Sequence, residues 1–198
     1  MDYVAPQPLE AWDQFCYYSK FFDDATCDQV VALARDLPFE EAKVATAADQ
    51  TDTEDVRRSR IRWLPSSDAF QSVYERVAQV MLAANAARWH FDVTGFSSPI
   101  QFSEYAEVGS RYDWHTDIGA GTFSTRKLSC TIQLSDEETY VGGEFEVFRR
   151  EPMDDVRETL RGRGTMIVFP AYILHRVSPV ESGCRLSLVA WLDGPPYR

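Results

Sequence analysis

The spacing of apolar residues predicts two helices in the first part of the chain. The first has apolar positions at intervals of three and four residues: Cys27, Val30, Val31, Ala34 and Leu37. Asp23 and Asp24 are its N-cap candidates, and Pro38 ends it. The second follows Ser67, another cap candidate, and its apolar stripe consists of Phe70, Val73, Tyr74, Val77, Met81 and Ala84. We expect both apolar faces to pack against a sheet.

From about residue 98 onward, the period of the hydrophobic positions changes from helical to two. Short alternating segments are separated by glycine-containing turns, so this half is predicted to be all-β. Two helices followed by many short strands predict a mainly β fold with supporting N-terminal helices, a double-stranded β-helix or jelly roll. We assign residues 1–198 to a single domain, with the supporting helical part at about 1–97 and the jelly-roll core at about 98–198.

Composition narrows the class of protein. With 198 residues and 44% hydrophobic content, the chain suits one globular domain. It has no apolar run long enough to cross a bilayer and no secretory signal in its first 15 residues, so we expect a cytoplasmic protein without membrane contact. Its four cysteines form no CxxC pair and are expected to be buried, reduced thiols. A net charge of −11 disfavours nucleic acid as a partner. Nothing in the sequence indicates the oligomeric state.

Three residues have the spacing of a metal site. His115 and Asp117 are two positions apart, so they project from the same face of a strand. His175 lies 58 residues after Asp117, just past the apolar strand 165–170. Two imidazoles and one carboxylate on one side of a metal leave positions open, which is the arrangement of iron(II) oxygenases.

Arg185 lies on a predicted strand whose faces differ in polarity. Residues 185, 187, 189 and 191 share one face, while the leucines at 186 and 188 share the other with Ala190. The strand 127–134 likewise has an apolar face and a small polar face, and the two polar faces can line one pocket. A buried guanidinium requires an anion, and its planar fork fits a carboxylate. The alternatives are an incoming dicarboxylate and a structural ion pair from a neighbouring strand.

The order of these motifs resembles that of a known enzyme family. The motifs are H-T-D at 115–117, G-G-E-F-E at 142–146, G-T-M-I-V-F-P at 164–170, H-R-V at 175–177, and Arg185 ten residues after His175. From about residue 101 to 196, the chain resembles the 2-oxoglutarate/iron(II) dioxygenases of the prolyl 4-hydroxylase type, including the compact PKHD-type hydroxylases.

The resemblance implies roles for particular residues. It implies that His115, Asp117 and His175 bind iron, and that Arg185 pairs with the distal carboxylate of 2-oxoglutarate. Tyr105 matches a tyrosine directed toward this cosubstrate. Gln133 stands where some relatives have a second cosubstrate tyrosine. Ser187 completes an R-x-S arrangement, although its hydroxyl has the alternative of bonding locally to the backbone.

The implied reaction uses iron(II), 2-oxoglutarate and O2, with ascorbate as an optional reductant. It couples decarboxylation of 2-oxoglutarate to succinate with C–H hydroxylation, and Asp117 separates the chain from halogenases that lack this carboxylate. The expected substrate is a prolyl or other side chain in a protein or peptide; the alternative is a free amino acid or another small metabolite. Two further classes stay open from the residues alone, a non-catalytic metal-binding jelly roll and a metal-free β-sandwich interaction domain.

Further polar and aromatic residues have structural interpretations. The segment 56–63 contains Arg57, and a strand there places three more arginines on one face: Arg58, Arg60 and Arg62. We expect a solvated strand face; the alternative is an acidic or phosphorylated substrate lying over it. Packing is the simpler role for Tyr112 and Trp114, with substrate contact as the alternative, and His90 is interpreted as structural.

Overall fold

The architecture comes from a computed structural model that describes residues 14–42, 56–149, 153 and 156–197. Most of the N-terminal segment in which we expect no secretory signal lies outside these residues. Three α-helices are described: α1 (Asp24–Arg35), α2 (Gln71–Arg88) and α3 (Arg157–Arg161). The strands are β1 (Cys16–Tyr18), β2 (Glu40–Glu41), β3 (Arg57–Arg58), β4 (Arg60–Leu64), β5 (Ile100–Tyr105), β6 (Arg111–His115), β7 (Arg126–Gln133), β8 (Tyr140–Gly142), β9 (Phe145–Val147), β10 (Met166–Pro170), β11 (His175–Val177), β12 (Val180–Gly183) and β13 (Arg185–Asp193).

Two antiparallel sheets form the body of the molecule. The major sheet has the order β1-β10-β7-β13-β5-β4-β2, and the minor sheet has the order β3-β6-β11-β9. A small third sheet pairs β12 with β8. Phe145 and Val147 of the minor sheet pack against Ile167 and Phe169 of the major sheet. Strands distant in sequence lie side by side, as in the predicted jelly roll, and this fold class is confirmed.

The two long helices cover the outer face of the major sheet. In α1, the Asp23 side chain accepts a hydrogen bond from the Thr26 backbone N–H at 2.8 Å, which confirms the predicted cap. Both helices bury their apolar stripes in one core with the strands of the major sheet. Leu188 of β13 is fully buried there, because the even-numbered positions of this strand face the helices.

The predicted N-cap at Ser67 is wrong. The second helix begins at Gln71, and its N-terminal flanking residue Phe70 provides no side-chain cap. The Ser67 carbonyl oxygen instead accepts a hydrogen bond from the Phe70 N–H in a turn before the helix. The aromatic ring of Phe70 is buried in the core, so apolar packing fixes this helix start.

The division into a helical half and an all-β half is less sharp than the sequence indicates. Strands β1, β2 and β4 extend the major sheet from the N-terminal part, and β3 joins the minor sheet. Conversely, α3 interrupts the second half. A helix of five residues has too few turns to produce a recognisable apolar period. Among the described helices, none combines the length and apolarity needed to cross a membrane.

Candidate active site

A cavity of about 340 Å³ opens between the major and minor sheets. From the major sheet, the odd-numbered face of β13 contributes residues 185, 187, 189 and 191, as its alternation predicts. From the minor sheet, β6 and β11 contribute the candidate metal ligands. Apolar and aromatic side chains complete the wall, which is typical of small-molecule sites.

The three predicted metal ligands meet in this cavity. His115 ends β6, His175 begins β11, and the two residues are direct partners across this antiparallel pair. Asp117 follows His115 by two residues, and its carboxylate oxygens lie 3.8 Å from His115 Nε2 and 3.7 Å from His175 Nε2. One ligand atom from each residue lies within 4.8 Å of the others. Side chains so close together can share one metal ion.

Backbone contacts orient both imidazoles toward that point. The Nδ1–H of His115 donates to the Asp113 carbonyl oxygen at 2.7 Å, and the Nδ1–H of His175 donates to the Ile173 carbonyl oxygen at 2.8 Å. The lone pair of each Nε2 is therefore free for a metal. The Asp117 Oδ2 atom is buried and forms no hydrogen bond of normal geometry, although the nearby Ser129 hydroxyl helps to lower the pKa of the carboxyl; a cation is the partner that this oxygen still requires.

The protonation states favour metal binding. Burial, with a further contribution from the neighbouring His175, lowers the pKa of His115 to about 4. Burial alone would raise the pKa of the Asp117 carboxyl, but its neighbours, His175 and His115 foremost, bring it below its ordinary value. Near neutral pH the site thus offers a neutral imidazole and an ionised carboxylate, which are the forms that coordinate metals.

Arg185 lies in the same cavity and is 1% exposed. Its Nη1 donates to Ser187 Oγ at 3.2 Å, while Nε and Nη2 are buried without a partner. Across the described ranges, no carboxylate forms an ion pair with this guanidinium, which disfavours the structural ion pair. Gly143, at φ +62°, makes room for the arginine, because a Cβ there would lie 3.1 Å from Arg185 Cδ. The side chain is therefore held in place with two donors available for an anion.

Of the three other residues predicted to contact the cosubstrate, two line the cavity and one does not. Tyr105 is buried in the cavity wall, opposite Arg185 in the pairing of β5 with β13. Ser187 also lines the cavity and accepts the hydrogen bond from Arg185. Gln133 is buried opposite Ser187 on β7, but it does not form part of the cavity wall that the structure describes. Its contact with the cosubstrate stays a prediction.

Two cavity arginines were not identified as site residues from the sequence. The guanidinium of Arg57 lies 4.5 Å from the centre of the Tyr112 ring, which stacks on the His115 ring at 3.4 Å. Arg126 Nη1 donates to the Asp117 carbonyl oxygen at 3.3 Å. Odd–even parity along the segment could have indicated Arg57, since the odd-numbered residues Ile61 and Trp63 also line the cavity. No simple pattern indicates Arg126, because a register shift at this end of β7 changes which face it occupies.

The structure also shows where the other residues discussed from the sequence lie. Arg58 is exposed as predicted and Arg60 is partly exposed, but Arg62 is largely buried and donates to Glu104 at 2.9 Å, so the solvated-face prediction is wrong there. Tyr112 lines the cavity, whereas Trp114 packs against Phe148. The remaining predicted structural residues are His90, which follows α2 at φ +56°, and four free cysteines, of which Cys16, Cys27 and Cys130 are buried and Cys184 is partly exposed.

Two histidines and one carboxylate are the metal-ligand set that non-haem iron(II) oxygenases use. The family model described as the 2OG-Fe(II) oxygenase superfamily matches residues 100–193. Over these residues the chain is similar to that superfamily. A PKHD-type hydroxylase of Hyphomonas neptunium is 28% identical over 173 residues, which cover 83% of this chain and 71% of that protein. Matches to PKHD-type hydroxylases of Synechococcus strains cover 38% to 53% of those proteins.

Solved structures share the fold. A prolyl-4-hydroxylase of Pseudomonas putida has a TM-score of 0.67 at 21% identity, covering 92% of this chain and 93% of that chain. A prolyl hydroxylase of Trichoplax adhaerens, in complex with a peptide fragment of a hypoxia inducible factor oxygen degradation domain, has a TM-score of 0.71 at 17% identity. That match covers 91% of this chain and 83% of the other. At these identities the likeness establishes the architecture.

Proposed function

We propose that the chain is an iron(II)- and 2-oxoglutarate-dependent hydroxylase acting on a C–H bond of a prolyl or other side chain in a protein or peptide. One observation carries the proposal: a cavity joins a three-ligand metal cluster to Arg185, a buried arginine whose Nε and Nη2 lack acceptors. A structural metal site has no use for an anion receptor beside it. An oxygenase with a dicarboxylate cosubstrate requires both.

The donor set fits iron(II). His115 and His175 would each contribute Nε2, and Asp117 would contribute a carboxylate oxygen. Iron bound there supplies the redox chemistry that oxidatively decarboxylates 2-oxoglutarate to succinate and hydroxylates the substrate. The orphaned Asp117 Oδ2 supports this placement, since coordination would satisfy it.

The chain's own residues would orient the cosubstrate and exclude water. Arg185 would donate its Nε and Nη2 hydrogens to the distal carboxylate of 2-oxoglutarate, while Nη1 stays on Ser187. The apolar side chains of Phe145, Phe169 and Val177 line the cavity near His175 and keep bulk water from the reacting groups.

Two observations bear on the substrate. The peptide in the Trichoplax neighbour supports a peptide substrate for a chain of this fold. A free amino acid or another small metabolite is the second candidate, favoured by the additional cavity arginines Arg57 and Arg126, which an uncharged prolyl ring does not need.

Turnover tests the proposal. The protein is incubated with iron(II), 2-oxoglutarate and either proline-containing peptides, cell extract or single amino acids, and succinate and a gain of one oxygen are followed by mass spectrometry. We expect both products together, only in the presence of O2. The Asp117→Ala variant should form neither, whereas Asp113→Ala should form both, because it removes only an exposed side chain and keeps the backbone carbonyl that orients His115. Oxygen-independent decarboxylation, or turnover by Asp117→Ala, would contradict the proposed site.

A further inference from the structure

The charges that line the cavity do not balance around the proposed reactants. Within the described wall, three arginines face the cavity, and Asp117 is the sole acid. If the proposed function holds, the two positive charges of iron(II) are matched by the two negative charges of 2-oxoglutarate, and Arg185 is matched by Asp117. Arg57 and Arg126 are two further cations in this wall; the buried carboxylate of Asp193 acts electrostatically on Arg126 but does not line the described cavity.

Both of these arginines lie beside the metal ligands. Arg57 is 7% exposed and stacks over Tyr112, whose ring lies against His115. Arg126 is 8% exposed and hydrogen-bonds the backbone of Asp117. An anion held by this pair would therefore sit close to the reacting centre rather than at the cavity mouth.

The protein supplies these groups with too few acceptors. Arg57 Nε donates to Ser59 Oγ at 3.0 Å, and the described residues give it no carboxylate partner. Arg126 Nε is buried without an acceptor, and so is Nε1 of Trp191, whose ring lies 3.9 Å below the Arg126 guanidinium. Aromatic rings stabilise a cation but accept no in-plane hydrogen bond. The cavity wall therefore holds buried donors whose hydrogen bonds an anionic ligand could complete.

We infer that Arg57 and Arg126 form a second carboxylate-binding subsite, and that the substrate is a carboxylic acid whose carboxylate lies close to the hydroxylated carbon. The inference rests on the proposed function and names its substrate class. The planar guanidinium fork is matched to carboxylate geometry. The cavity volume of about 340 Å³ suits a small acid or one acidic side chain beside the cosubstrate.

The test is a binding measurement that needs no turnover. Protein loaded with manganese(II) and 2-oxoglutarate without O2 is titrated with matched acids and amides by calorimetry and by fluorescence of Trp191 and its neighbours. The pairs are benzoate and benzamide, L-proline and L-prolinamide, and the blocked dipeptides Pro-Asp and Pro-Asn. The last two pairs distinguish a free α-carboxylate from a side-chain carboxylate. We expect at least one acid to bind about tenfold or more tightly than its amide.

Substitutions test which residues cause the preference for acids over amides. Arg57→Gln should reduce the preference at least about tenfold while leaving 2-oxoglutarate affinity intact, and Arg126→Gln provides a second, independent variant. Arg58→Gln is the matched control, because this adjacent arginine is exposed and paired with Glu107 outside the cavity. Its preference should equal that of the wild type.

The subsite is overturned if no acid binds at millimolar concentration, if amides bind as well as acids, or if both cavity variants retain the preference. These failures leave manganese and 2-oxoglutarate binding untouched. If the wild-type protein bound neither manganese nor 2-oxoglutarate, the proposed function itself would be overturned. The two kinds of failure are therefore distinguishable.

Discussion

Replacement of Arg185 by Met should separate cosubstrate binding from stability. In the protein without ligands, Arg185 is a buried cation with two unpartnered nitrogens, so an apolar side chain of similar length should leave the melting temperature unchanged or raise it. Affinity for 2-oxoglutarate should fall strongly. Each hydrogen bond to a charged group contributes about 1.5 to 3 kcal/mol, so losing two corresponds to about a hundredfold to ten-thousandfold weaker binding.

Thermal unfolding with and without 2-oxoglutarate measures both effects. For the wild type loaded with a redox-inert metal, ligand at about 100 times its Kd adds about 2.7 kcal/mol of stability. In a protein of this size, that shift raises the melting temperature by about 5 to 11 °C. Arg185→Met should lose this shift, and Arg185→Lys should lose part of it, because lysine keeps the charge but not the fork.

Arg176→Met serves as the control for Arg185→Met. Arg176 pairs with Glu146 at 2.8 Å and does not line the described cavity, so the shift caused by 2-oxoglutarate should persist in this variant. The reasoning is refuted if Arg185→Met melts several degrees lower without ligand and still binds 2-oxoglutarate like the wild type, because that pattern belongs to a structural ion pair.

Three further outcomes follow from the site and the core. Zinc should bind the His115 cluster but support no turnover, since the reaction needs a redox-active metal; zinc-dependent succinate formation would contradict this. Burial raises the pKa of the Cys130 thiol to about 12 and that of Cys27 to about 11, so both stay protonated at about pH 8 and should resist maleimide labelling until the protein unfolds. Rapid labelling of either thiol in the native protein would contradict their burial. Leu188→Ala should lower the free energy of unfolding by about 2 to 5 kcal/mol in denaturant titrations, and a loss under about 1 kcal/mol would show that the site can collapse around the smaller side chain.

Alternation along strands made much of the site predictable. The odd and even positions of β13 separate Arg185 and Ser187 from the leucines of the core, and the structure places them as this period requires. The same rule predicts His115 and Asp117 on one side, and the structure brings their ligand atoms together although Asp117 lies two residues past the end of β6. His175 could be connected to them only through the order of motifs, because antiparallel pairing of β6 with β11 is not visible in a one-dimensional pattern.

The missed features depend on contacts between distant segments. Segment 56–63 looks like one strand, but it divides into β3 and β4, which belong to different sheets. Arg57 lies in the cavity wall, and the next arginine stays at the surface. Arg126 reaches the cavity through a register irregularity opposite Asp193. The helix start near Ser67 was mispredicted because burial of Phe70 outweighs a capping hydroxyl.

The most direct test of the central account is the visible absorption of the protein mixed anaerobically with iron(II) and 2-oxoglutarate. If His115, Asp117 and His175 hold iron next to the cosubstrate bound by Arg185, a weak charge-transfer band should appear only when both components are present. Asp113→Ala should retain the band, and Asp117→Ala should abolish it. A wild-type protein without the band, or an Asp117→Ala variant that shows it unchanged, would contradict the account.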